Sequence, residues 1–228
     1  MSTHNFFARF LRFIGIVLMA LTGGLTLLGG IGTTCAALFP ANYESMAALA
    51  PFQWLYILFV LSGIALGVMG IRATIMLIKG APKSYNDALV ALVLGAVIGF
   101  IHIYASRALR GSSMPVDAVV YATVFTLIIF LLFRIPFIWQ GVDFAKAKAE
   151  KNRPAAGASA ILVGVMTLTI QYTMASTHTW DGINYADVFN TSMTAAGLAL
   201  ALFGAALFVN WKKALALFHN PAHALEKR

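Results

Sequence analysis

His102 stands inside a long apolar stretch, where an imidazole can relay a proton, hold a polar solute or ligate haem iron. Ala88, Ala91, Gly95, Gly99, His102 and Ser106 are spaced three or four apart and so share one face of a helix. That face carries the small residues through which helices approach each other in lipid, so His102 is expected to meet protein. Ala160, Gly164, Thr167, Gln171 and Ala175 repeat the pattern. His102 and Gln171 are therefore expected at similar depth, as a candidate intramembrane polar site. The plainer reading is a neutral imidazole bonded to Gln171, a threonine or a carbonyl, fixing the packing.

A second candidate lies at the predicted outer rim, where Arg107, Arg110, His178 and Asp181 join Glu44, Asp117 and Asp187. Imidazole and carboxylate together can bind a metal. Asp117 and Asp187 open predicted spans, however, where a carboxylate accepts backbone N–H bonds as a helix cap. Arg107 and Arg110 are expected to pair with acidic groups or lipid headgroups. No metal site is expected. A haem b would need His178 as second ligand to His102, a poor match to the paired intramembrane histidines such a cofactor uses. No cofactor is therefore expected. Cys35 has no second thiol and reads as a small interface residue.

The elements that position these residues follow from composition. Of 228 residues, 60% are apolar and 11% charged, against about 25% charged in a soluble domain. So little charge cannot cover a water-soluble surface, but it suits a bilayer. A span needs about 20 apolar residues, and six stretches qualify, near 12–38, 53–78, 86–108, 116–139, 156–175 and 188–209. Lipid cannot satisfy free backbone groups, so the stretches must be helices. The expectation is an all-α polytopic bundle forming one integral membrane domain over 1–228.

The chain contains 16 Lys and Arg, and with the N-terminus inside only Arg107 and Arg110 fall on the outer side. This bias places both ends in the cytoplasm of a cell membrane. The +8 net charge lies between spans and forms no continuous basic face, so anionic headgroups are the expected partner and not nucleic acid. Trp54, Tyr56, Trp139, Trp180 and Trp211 fall near span ends as an aromatic belt would. The segment from Phe144 to Pro154 reads as a solvated loop or a short interfacial helix.

Gly63-x-x-x-Gly67 and Gly95-x-x-x-Gly99 mark packing faces on spans 2 and 3. Span 4 is bulky from Phe125 to Phe133 and is expected to show much of its inner half to lipid. Ala105-Ser106…Gly111…Asp117 resembles Ala175-Ser176…Gly182…Asp187, which suggests that spans 3–4 and 5–6 are repeated hairpins, with spans 1–2 a diverged copy.

Loops of about 15 residues at most leave no room for a soluble catalytic domain. No Gly-x-Ser-x-Gly or His-Glu-x-x-His occurs. Lys146 and Arg153-Pro154 match the first signature of membrane phosphatidic-acid phosphatases, but that family's later Ser-Gly-His and Arg/His segments do not follow. The reading is a non-enzymatic structural or accessory subunit of a membrane complex, associating through its Gly/Ala faces with other subunits or itself. A small-solute transporter or permease is the alternative, and a haem- or quinone-interacting redox subunit the third.

Overall fold

The computed structural model describes residues 3–42, 44–146, 149–175, 179–180 and 182–209. Ser176, His178, Asp181 and Trp211, named above, lie outside these residues, as do Lys148, Lys212, Lys213, Lys227 and Arg228 among the 16 basic residues counted there. Six helices are long and apolar enough to cross a membrane: Phe6–Leu38, Met46–Lys79, Ser84–Arg110, Val116–Phe133, Ala149–Thr173 and Asn190–Phe208. The protein is an all-α helical bundle compatible with multiple crossings of a bilayer.

Along the chain, α1 (Thr3–Gly32) is followed by the short α2 (Thr34–Leu38), two 3₁₀ segments and α3 (Gln53–Lys79). After these come α4 (Ser84–Arg110), α5 (Val116–Phe133), the short α6 (Pro136–Val142) and α7 (Ala149–Thr173). A two-residue β-ladder of β1 (Thr179–Trp180) with β2 (Ile183–Asn184) then leads through α8 (Tyr185–Val188) to α9 (Asn190–Phe208). Helices α3 and α4 both stop at a glycine: Gly80 at φ 68° and Gly111 at φ 71° adopt the left-handed conformation that ends a helix.

Two boundaries differ from the sequence reading. The fourth span ends at Phe133 and not 139. Pro136 disfavours a helical Ile135, which turns extended (φ −56°, ψ 125°), and α6 starts anew beyond it. The described residues of the segment 144–154 do not form a solvated loop. Phe144 is fully buried, and α7 already begins at Ala149. Asn152, itself buried, donates to two carbonyls in the last turn of α3, those of Leu77 (3.3 Å), which also accepts the Gly80 N–H, and Ile78 (3.2 Å).

The C-terminal half of span 4 is split between a buried and an exposed side. Phe130 and Phe133 are buried among Tyr85, Val142 and Phe144, whereas Phe125, Ile128, Leu131 and Leu132 are exposed. Bulk does not decide which side of a helix faces lipid; the 3.6-residue period does.

Close helix approach is concentrated in two hairpins with one design. In α1–α3, a Cβ placed on Gly23 would sit 2.9 Å from the Gly70 carbonyl carbon, and one on Gly30 2.8 Å from that of Gly63. In α7–α9, Gly157 faces Gly204 and Gly164 faces Gly197, with a Cβ on Gly164 only 2.7 Å from the Gly197 oxygen. Gly23, Gly30, Gly63 and Gly70 correspond to Gly157, Gly164, Gly197 and Gly204 as residue i to i + 134 in every case, with no gap. Leu28 and Thr33 match Leu162 and Thr167 at the same offset, as do Ala65 and Leu66 with Ala199 and Leu200. Both matched threonines donate to the carbonyl one turn earlier, Thr33 to Gly29 and Thr167 to Val163, each at 2.8 Å. The repeat of packing geometry thus joins spans 1–2 with 5–6, and not 3–4 with 5–6. The α4–α5 pair lacks that clasp: a Cβ on Gly95 meets the Thr123 methyl at 3.3 Å, and one on Gly99 meets Val120.

Candidate functional site

One group of buried polar side chains lies where α3, α4 and α5 approach the α4–α5 turn. His102 and Ser106 sit one turn apart on α4, and Tyr56 and Phe59 nearly so on α3, so two adjacent turns of each helix face each other. The His102 ring stacks on Phe59 with centroids 4.1 Å apart and planes 14° apart, and meets the edge of Tyr56 at 5.5 Å and 81°. The Tyr56 hydroxyl and Ser106 Oγ share a hydrogen bond of 2.7 Å. Tyr56, Phe59, His102 and Ser106 are all buried. Among the described residues no group hydrogen-bonds to the imidazole, whose ring packs on Phe59 and Tyr56.

Gln171 is not its partner. Helix α7 packs chiefly on α9 and α1, whereas α4 packs on α3 and α5. Gln171 is buried, and its Oε1 has no hydrogen-bond partner among the described residues, while its backbone carbonyl accepts Asn184 Nδ2 at 3.1 Å. Equal depth on similar faces did not bring the two together, because the faces meet different helices.

Above His102, Arg107 Nε donates to Ser113 Oγ (2.9 Å) and Arg107 Nη2 to Asp117 Oδ1 (3.1 Å). Ser113 Oγ lies 2.8 Å from both oxygens of Asp117. Arg110 Nη2 donates to the Met114 carbonyl at 2.8 Å. Both arginines thus hold the α4–α5 turn. Asp117 is buried and is the second residue of α5, behind Pro115 at the cap position, so it serves Arg107 and Ser113 and does not cap the helix. Asp187 likewise lies within α8, and Phe189 stands at the start of α9. His178 and Asp181 are outside the described residues. Among those described, no three His, Cys, Asp or Glu side chains are grouped to hold a metal. Cys35 is a half-buried free thiol in α2.

Two further constellations had no signal in the spacing. At the α3–α4 end, Tyr85, Phe130, Phe133 and Phe144 form an aromatic cluster, and Tyr85 donates to the Phe130 carbonyl at 2.5 Å. The Arg134 guanidinium lies 5.0 Å from the Tyr85 ring centroid and 5.6 Å from that of Trp139, within cation–π range. At mid-bundle, Thr22 and Thr126 share a hydrogen bond of 2.8 Å across α1 and α5.

Compared with known protein families, curated proteins and solved structures, the chain matches none.

Proposed function

We propose that this protein is a non-enzymatic accessory subunit of a membrane complex, set in a cell membrane with both ends on the cytoplasmic side. The observation that carries the reading is how many of the polar groups between the helices are engaged with one another, the His102 imidazole and Gln171 Oε1 standing apart. Tyr56 bonds Ser106, Thr22 bonds Thr126, Tyr85 and Asn152 bond carbonyls of neighbouring helices, and Asp117 holds Arg107 and Ser113. Such groups lock helices together, and they leave rigid surfaces for other subunits. The cationic ends, with Arg72, Lys79, Lys83 and Arg134 at the α3–α4 end, fit anionic headgroups. Purification in a mild detergent followed by native electrophoresis tests the proposal: co-migrating subunits are expected, and a lone monomer at every detergent strength would count against it. Orientation is checked separately by labelling single cysteines in a Cys35→Ser background. Positions 83 and 141 should react from the cytoplasmic side and positions 111 and 182 from the other.

The repeated hairpin supports a second reading, a small permease, because duplicated units of like orientation recur in transporters. In that case His102→Ala alters uptake into vesicles; unchanged uptake removes His102 from any transport step.

A further inference from the structure

Many threonines of this bundle follow one habit, from which the buried Thr22 and Thr126 depart. Thr26, Thr74 and Thr123 each donate their hydroxyl to the carbonyl one turn earlier, on Thr22, Gly70 and Val119. A helical threonine satisfies its proton this way at little cost. Thr22 and Thr126 instead bond each other. Two hydroxyls sharing one bond have two protons and use one, so one proton is left to find an acceptor. Both side chains are nine-tenths buried or more, Thr22 at 4% exposure and Thr126 at 1%. An unsatisfied donor there costs about 1–3 kcal/mol.

A small cavity adjoins this pair, bounded by α1, α3, α4 and α5. Thr22, Thr26 and Thr123 line it together with Met19, Leu66 and Leu92. The centre of a water molecule has about 10 Å³ of free space within it, at the threshold of about 10–15 Å³ at which one water fits. We infer that this is a binding site for a single water molecule at the centre of the bundle. Thr126 donates to Thr22, and Thr22 donates to the water. The water donates its two protons to the lone pairs of Thr26 and Thr123, whose own protons are already committed to carbonyls. Three hydrogen bonds result, the usual number for a buried water. The water joins α1 to α5 beside the Gly23–Gly70 clasp of α1 and α3. This inference is independent of the proposed subunit role.

The test is proton-detected solid-state NMR on the full chain in lipid bilayers, reading magnetisation transfer from water to threonine side chains. Transfer is expected at Thr22, Thr26 and Thr123, and it should survive Thr22→Ser, which keeps the hydroxyl. Thr22→Val, equal in shape but without a proton to donate, should abolish it at Thr26 and Thr123. Absence of transfer in the wild-type protein would overturn the inference, and that measurement decides alone if a variant does not fold. Persistence of transfer in a folded Thr22→Val protein would also overturn it.

Discussion

Replacing Gly23 and Gly24 one at a time with alanine should move stability in opposite directions, although the two are neighbours on one helix. A Cβ on Gly23 would lie 2.9 Å from the carbonyl carbon of Gly70 and 3.0 Å from the nitrogen of Ile71, both main-chain atoms that cannot turn aside. Ordinary contact needs about 3.5–4.0 Å, so α1 and α3 must part by roughly 0.5–1 Å along the clasp, a gap that forfeits a quarter to a half of each contact there. Overpacking of this kind costs about 1–3 kcal/mol. Alanine's better helix propensity offsets about 0.5–1 kcal/mol of that. On Gly24 the nearest atom is a Val163 methyl at 3.5 Å, an ordinary contact, so the propensity gain stands unopposed. The two variants should therefore differ by about 1–3 kcal/mol, which is about five- to 150-fold in the unfolding equilibrium. Equilibrium unfolding by SDS in mixed micelles, followed by tryptophan fluorescence and circular dichroism, reads the difference. If both variants shift the same way by the same amount, main-chain proximity does not govern the α1–α3 contact, and the argument from the clasp fails.

Other perturbations probe the remaining contacts. Gly164→Ala should loosen the second hairpin as Gly30→Ala loosens the first, because each Cβ meets main-chain atoms of the facing helix; cysteine cross-linking efficiency between α7 and α9 should drop, and unaltered cross-linking would deny that the hairpins share a design. Tyr56→Phe leaves the buried Ser106 hydroxyl without its partner and should cost about 1–2 kcal/mol. Adding Ser106→Ala should recover part of that loss, and purely additive losses in this cycle would mean the pair is not coupled. Asp117→Asn should lower the thermal midpoint more than Arg107→Gln, since the carboxylate is buried and also serves Ser113 while the guanidinium is about half exposed; equal shifts would assign the whole effect to the ion pair. Asn152→Ala should destabilise by about 1 kcal/mol, as the carbonyls of Leu77 and Ile78 lose a donor; calorimetry of the purified protein reads it.

The number and rough extent of the spans were legible in the sequence, because hydrocarbon leaves a polar backbone no choice but the helix and apolar length reports crossing directly. The face of α4 that carries Ala88, Ala91, His102 and Ser106 was legible as well, since helical spacing alone sorts residues onto faces. The neighbour on that face was not. Periodicity says that a stripe is covered but contains nothing about which helix covers it. Only the folded bundle decided that His102 stacks on Phe59 and does not reach Gln171, and that Asp117 serves Arg107 instead of a helix end. The four-glycine register shared by the first and last hairpins was written in the chain, yet spans rich in glycine and alanine offer many chance alignments. Main-chain contact across each helix pair singled out the four that matter, because in lipid the glycines that count are those with another backbone pressed against them.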